Sequence, residues 1–230
     1  MKFNQFIIEK IFKPYSFRFE RKRKDLFYEF FNPKSDDKIL DLGGDDGRRM
    51  AILFPDKRKD IYIADISHRA LETAKSKYGF ETILLDESGE IPFRDNYFDI
   101  TFCNSVIEHV TVDKNEMFAD ISETEFIVKS MLRQKKFADE IKRVSKKYFV
   151  QTPNKHFIIE SHTWFPSFFI YFPRWFQIKT ILFLNKFWIK KASPDFNLLT
   201  VNDMKLLFPE ANLIKEKSFF MTKSMIVIKN

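Results

Sequence analysis

A glycine-rich turn and two carboxylates close three consecutive apolar runs of this chain. Asp41 stands in "ILDLGGDDG" (39–47), just before Gly43, Gly44 and Gly47; Asp65 ends "DIYIAD" (60–65) and is followed by Ile66; Asp86 ends "ETILLD" (81–86). Glycines at such a turn permit positive φ and let a ligand come close to the backbone. An acid about twenty residues further on is placed to accept hydrogen bonds from a ribose diol, and a carboxylate after a third strand can meet an adenine amino group. Each has a plainer reading, since the glycines can serve a tight structural turn and Asp65 or Ser67 can cap the helix that follows in "ISHRALETAK". Three such signals in order favour a nucleoside-like ligand.

A second group lies downstream. "NSVIEHV" (104–110) brings Asn104, Ser105, Glu108 and His109 together, and "ESHTWF" (160–165) adds His162. An imidazole takes a proton near neutral pH, which a hydroxyl reactant would require; a histidine among aromatics is equally a hydrogen-bonded packing residue. His162 is the first candidate base and His109 the second. Cys103 is the single cysteine, which excludes a disulfide framework and a cysteine-rich zinc site. A reducing, cytoplasmic setting is expected, and no metal site.

The elements that must hold these residues follow from periodicity. Strands at 38–42, 60–65, 81–86 and 98–103 alternate with helices at 48–54 and 68–77, and alternation of this kind means a parallel sheet with its strand ends on one edge. A polar helical region, 111–147, ends in "FADEIKRVSKKY", where Phe137, Ile141, Val144 and Tyr148 recur at helical spacing; a strand "YFVQT" follows. Residues 161–192 read as short helices broken at prolines, and the tail as two antiparallel strands. The expectation is a single α/β domain, doubly wound around a mostly parallel seven-stranded sheet. Within it, 1–35 is a basic helical segment, 36–160 the ligand-binding core, 161–197 an aromatic, basic lid, and 198–230 the closing strands.

Of 230 residues 44% are apolar, enough for one sizeable core. The net charge of +7 is unevenly placed: residues 1–24 carry +6 and 161–193 carry +5, so the body is net acidic. That body, without a recognisable binding module, argues against nucleic acid. The N-terminal apolar run is too short for a signal peptide. The stretch 164–189 has spanning length, but Pro166, Pro173, Arg174, Lys179 and Lys186 interrupt it. Its aromatics and bases, with Phe3, Phe6, Ile7 and Ile11 on one face of a first helix, suit either packing onto the body or peripheral contact with a membrane surface. Nothing in the sequence sets an oligomeric state.

With these residues in place the sequence resembles the class I S-adenosylmethionine-dependent methyltransferases, of the group that methylates small molecules, lipids and sugars. "ILDLGGDDG" looks like the family's first motif and "IYIADIS" like its second. "IPFRDNYFDITFCNSVIEHV" resembles the segment with a proline-phenylalanine turn and a glutamate-histidine pair, and "TPNKHFIIESHTWFP" a subgroup with a threonine-proline-asparagine turn before a histidine and an aromatic loop. The likeness covers roughly residues 36–165 and, more weakly, the tail. It implies S-adenosyl-L-methionine as cofactor. Asp41, Gly43, Gly44 and Gly47 would form the cofactor turn, Asp65 with Ile66 would hold the ribose, and Asp86 would lie near the adenine. Asn104 and Ser105 would face the methionine portion, with Glu108 and His109 at the rim.

Three departures stand out. Asp45 replaces the central glycine, "DESGEIPF" is one residue longer than the family's spacing between its aspartate and the proline-phenylalanine turn, and 111–134 reads as an insertion. Beside the cofactor's carboxylate, at ~4 Å and an effective dielectric near 20, the Asp45 charge would cost about 4 kcal/mol; beside the sulfonium or ammonium it would attract. The expected function is methylation of an oxygen on a small molecule, sugar or lipid-linked glycan. The rival is a methyltransferase-like scaffold that has lost catalysis; a nicotinamide-dependent enzyme fits Asp65 but not the glycine spacing.

Overall fold

The computed structural model describes residues 10, 13–56, 60–86, 88–113, 116, 122–188 and 190–230. It divides into two compact units, Met1–Ser35 and Asp36–Asn230. The first holds helix α1 (Lys13–Phe31), on which Phe27 packs against Phe31 one turn away. The face expected from Phe3, Phe6, Ile7 and Ile11 lies outside the described residues.

The second unit is a seven-stranded sheet of strands β1 (Ile39–Leu42), β2 (Ile61–Asp65), β3 (Glu81–Leu84), β4 (Phe98–Asn104), β5 (Ser145–Pro153), β6 (Asn212–Ser218) and β7 (Met221–Lys229), in the order β3-β2-β1-β4-β5-β7-β6. The first five run parallel, and β7 pairs antiparallel with both β5 and β6. This is the doubly wound, mostly parallel α/β architecture the alternation predicts. Every residue of β1 is buried, as befits a central strand covered on both faces. Leu42 pairs with Ala64 on one side and Cys103 on the other, so the turn after β1 emerges at the carboxyl edge of the sheet between β2 and β4.

The helices hold that edge in place. Helix α2 (Arg48–Leu53) follows the first turn; α3 (His68–Thr73) starts at Ser67, whose hydroxyl accepts the Ala70 N–H, and runs into a π turn over Ala74–Tyr78. Helix α4 (Glu123–Val144) is capped by Ser122, carries Glu123 and Glu125 in its first turn and Lys142 and Arg143 in its last, and so matches the helix dipole at both ends. Phe126, Phe137, Ala138, Ile141 and Val144 form its buried face. Arg143 donates to the carbonyls of Ile91 and Phe93 and fixes the proline-phenylalanine turn.

Two boundaries differ from expectation. The helical repeat does not extend to Tyr148, because the backbone turns extended at Ser145; Tyr148 is fully buried in β5, paired with Thr101 and Lys229. Strand β3 stops at Leu84, so Asp86 lies two residues beyond it. The expected insertion at 111–134 is described only in part. Pro166 and Pro173 each open a short helix, the 3-10 turn Ser167–Tyr171 and α5 (Arg174–Leu184). Helix α6 (Val201–Leu207) begins with a capping box between Thr200 and Asp203. Among the described residues no helix is long and apolar enough to cross a membrane.

Candidate active site

The turn after β1 is built on backbone that favours glycine. Gly43 and Gly47 sit at φ +71° and +74°, and a Cβ on Gly43 would stand 2.3 Å from Val106 Cγ2. Asp45, in the place of the missing glycine, takes φ +50°, a left-handed conformation that aspartate tolerates better than most residues. Its N–H donates to Asp65 Oδ2 at 2.9 Å, and the Ser67 N–H donates to Oδ1 at the same distance. The Asp45 carboxyl itself is exposed; partial burial, then Asp46 and Asp65, hold it above the usual carboxylate range.

A cavity of about 400 Å³ opens beside this turn, within the size range of small-molecule sites. Of the residues singled out from the sequence, Gly43, Asp65, Ile66, Asp86, Ser105 and His109 line it; Asp41, Gly44, Asp45, Gly47, Asn104, Glu108 and His162 stand outside its lining. Asp86 is exposed, accepts the Ser88 N–H and lies below the usual range because of the Ser88 hydrogen bonds. Ser105, at φ +56°, donates its hydroxyl to Gln151 while Asn104 donates to Ser105. Behind the turn Asp41 is fully buried, neither carboxylate oxygen has a hydrogen-bond partner, and burial pushes it up to about 7. Backbone too tight for a Cβ at Gly43, and carboxylates at the ends of two strands, fit a nucleoside cofactor laid across the carboxyl edge.

The two histidines meet at the rim of this cavity. Their rings cross edge to face at 4.7 Å, and His162 also stacks on Phe196. The Nδ1–H of His109 donates to Asp195 at 3.2 Å, and that of His162 to Glu160 at 2.7 Å. Burial disfavours the His109 cation, but the Asp195 hydrogen bond and the charges of Glu108, Asp195 and Glu160 outweigh it and raise the pKa. Burial pushes Glu160 up; hydrogen bonds from His162 and Thr163 overcome it and hold the carboxyl low. Glu108 lies beside the rings, 3.8 Å from His162 Nε2, fully buried, with one oxygen taking the Thr152 hydroxyl at 3.0 Å.

Sequence reasoning missed the carboxylates behind the histidines. Glu160 precedes His162 by two residues and shares its loop, so a local signal existed. Asp195 arrives from 86 residues away through the loop before α6, and no local pattern announces it. Gln134 was missed too: fully buried on α4, its amide bonds the carbonyls of Ile107 and Asn197 and thereby joins the histidine turn to that loop.

Residues 40–148 match a protein-family model described as a methyltransferase domain. No curated protein matches the sequence. Among solved structures the chain is similar to an S-adenosylmethionine-dependent methyltransferase from Aquifex aeolicus, at 15% identity and a TM-score of 0.51 over 89% of this chain and 87% of that one. A Pyrococcus horikoshii protein aligns at 17% identity and TM-score 0.53 over 90% and 89%. The magnesium protoporphyrin IX methyltransferase of Synechocystis, solved with bound S-adenosylmethionine, aligns at 10% identity and TM-score 0.54 over 99% and 83%. The glycine turn, the acid at the end of β2, the strand order and the family match agree: residues 40–148 match a methyltransferase domain, on a fold shared with S-adenosylmethionine-dependent methyltransferases.

Proposed function

We propose that this protein transfers the methyl group of S-adenosylmethionine to an oxygen of a small molecule, sugar or lipid-linked glycan. The observation that carries the reading is one cavity walled both by Asp65, at the end of β2, and by the carboxylate-backed His109. When bound, the cofactor supplies an already activated sulfonium methyl, so the chain has chiefly to align the acceptor and exclude water. Asp65 and Ile66 would hold the ribose, Asp86 the adenine side, and the backbone at Gly43 and Ser105 the remainder. An oxygen acceptor loses a proton as it is methylated, and the Glu108, His109 and His162 cluster, which reaches the wall through His109, is placed to assist that loss.

The surroundings support an apolar or membrane-bound acceptor. Phe219 and Phe220 form the tip of the β6–β7 hairpin, 74% and 102% exposed and both at positive φ, where bulky residues are held only under strain. Because Pro153 pairs with Ser224, this tip lies at the carboxyl edge of the parallel strands, the edge that carries the cavity. Helix α5 exposes Trp175 and Phe183, with Lys179 over the Trp175 ring. A cytoplasmic protein touching a membrane surface through these residues is consistent with that pattern.

The scaffold reading is not favoured, because its motive was the Asp45 charge and that side chain is exposed and stands off the cavity lining. Calorimetric titration with S-adenosylhomocysteine tests the proposal without knowledge of the acceptor. Micromolar binding is expected; no binding by the folded protein would overturn it.

A further inference from the structure

We propose that Glu108, His109 and His162 bind one divalent transition-metal ion beside the methyl-transfer cavity. One ligand atom of each lies within 4.8 Å of the others. No such site was expected from the sequence, whose one cysteine excluded only the sulfur-rich kind.

The argument begins with Glu108. Its side chain is wholly buried; Oε2 takes the Thr152 hydroxyl, and Oε1, also buried, has no hydrogen bond. A buried carboxylate oxygen without a partner is costly unless a cation completes it. Opposite stands Nε2 of His162, 3.8 Å from Oε1. Since Nδ1–H of that ring donates to Glu160, a neutral His162 carries its lone pair on Nε2. Two acceptors then face each other across a gap, an arrangement that a positive ion settles.

The second histidine repeats the pattern. His109 donates Nδ1–H to Asp195 and keeps Nε2 for a ligand. Imidazoles that bind metals characteristically donate their other nitrogen to a carboxylate, which fixes the tautomer and the ring plane. Here both do: the Glu160 carboxylate is itself held by the Thr163 N–H and hydroxyl, and the Asp195 main chain is fixed by the Thr111 hydroxyl on its carbonyl.

Two imidazoles and one carboxylate suit zinc, manganese, iron or cobalt in the divalent state. Ligands at about 2.1 Å from one tetrahedral ion stand about 3.4 Å apart, so the His162–Glu108 gap needs to close by only a few tenths of an ångström. Three protein ligands leave coordination positions open, and His109 brings the site to the cavity wall.

The ion's role rests on the methyl-transfer reading. As a Lewis acid it would lower the pKa of an acceptor hydroxyl bound at an open position. The hydroxyl proton leaves to solvent, the oxygen lone pair forms the new C–O bond, and the C–S electron pair returns to sulfur. Nothing is oxidised or reduced.

The test is titration of the metal-stripped full-length protein with Co²⁺, read by visible ligand-field absorption. One equivalent should saturate an intense band of low coordination number, and Zn²⁺ should abolish it. His162→Ala should weaken cobalt binding at least tenfold while S-adenosylhomocysteine still binds the same sample. Glu108→Gln, which keeps shape and volume, carries the same expectation should the alanine variant fail to fold. No band in the folded wild-type protein, or an undiminished band in both variants, would overturn the site. Loss of S-adenosylhomocysteine binding alone would sink the methyl-transfer reading and leave the cobalt result standing.

Discussion

The backbone N–H of Asp45 donates to the carboxylate of Asp65 at 2.9 Å, so the residue that replaces a motif glycine is tied to the acid that ends β2. The departure in the turn and the proposed diol-binding position are thus one hydrogen-bonded unit. Asp45 contributes to it through its backbone N–H, which any residue but proline could supply, while its charge stays exposed.

Asp65→Ala removes both the anchor of the turn and the proposed acceptor for a ribose. Hydrogen bonds to a charged group contribute about 1.5–3 kcal/mol each, so S-adenosylhomocysteine affinity should fall by at least tenfold. Asp45→Gly keeps the N–H and relieves the left-handed strain, and should leave stability within about 1 kcal/mol of wild type and binding intact. Titration calorimetry on both variants checks the pair; unchanged affinity in Asp65→Ala would remove the site placed here.

Gly43→Ala should be far more damaging. Its Cβ would lie 2.3 Å from Val106 Cγ2 and 2.8 Å from Cγ1, at a φ of +71°. Overpacking plus backbone strain should cost about 2–4 kcal/mol by chemical denaturation. Adding Val106→Ala removes both clashing atoms, so the double variant should recover the steric share but not the conformational one. A single variant as stable as wild type would show that the turn is looser than this geometry allows.

Asp41 gives a pH signature. Its folded pKa, pushed up to about 7 by burial, exceeds the ordinary value of 3.8. Between those pH values the folded state holds a proton that the unfolded chain has lost. Stability without ligand should therefore fall as pH rises from about 4 to 7, by up to roughly 4 kcal/mol once Asp41 ionises. Asp41→Asn should be the more stable form at pH 8 and flatten the curve. Melting temperatures across pH 5 to 8 decide it; parallel curves for the two proteins would mean that Asp41 is solvated.

What was legible in the sequence was whatever repeats locally. The apolar runs that hold Asp41 and end in Asp65 announced the parallel strands, and the glycines announced a turn that the structure builds at positive φ. Tyr148 fell in both readings, last in the helical spacing of Phe137, Ile141 and Val144 and first in the strand "YFVQT", and pairing with β4 and β7 settles it in the strand. The histidines were found as residue types, but their chemistry depends on Asp195 and Glu160. A half-buried carboxylate 86 positions away has no sequence signature until the sheet and α4 bring its loop to the rim.

The exposed aromatics make a separate claim. Phe219 and Phe220 at the hairpin tip and Trp175 on α5 lie in solvent, where burial would be worth about 1.5–3 kcal/mol for each large side chain. Co-sedimentation with anionic lipid vesicles at low salt should capture the protein, and replacing Phe219 and Phe220 by serine should weaken capture at least tenfold. Equal capture by the variant would assign any membrane contact to charge alone.

Gln134 supplies the last prediction, because it joins elements that must stay in register for the histidines to meet. Its Nε2 donates to Ile107 O at 3.0 Å and Asn197 O at 2.9 Å, and its Oε1 accepts from Asn197 Nδ2 at 3.0 Å. Asn197 in turn donates its backbone N–H to Glu108 O at 2.8 Å. Gln134→Leu preserves volume but strips the amide partners from buried polar groups, which should cost about 2–4 kcal/mol. The denaturant midpoint should fall with an unchanged slope, since the surface exposed on unfolding is the same. Because Asp195 lies two residues from Asn197, the bond to His109 should loosen in the folded variant as well, visible as a change in the His109 ring resonance. A variant within about 0.5 kcal/mol of wild type, with that resonance unmoved, would mean that packing alone holds the rim together.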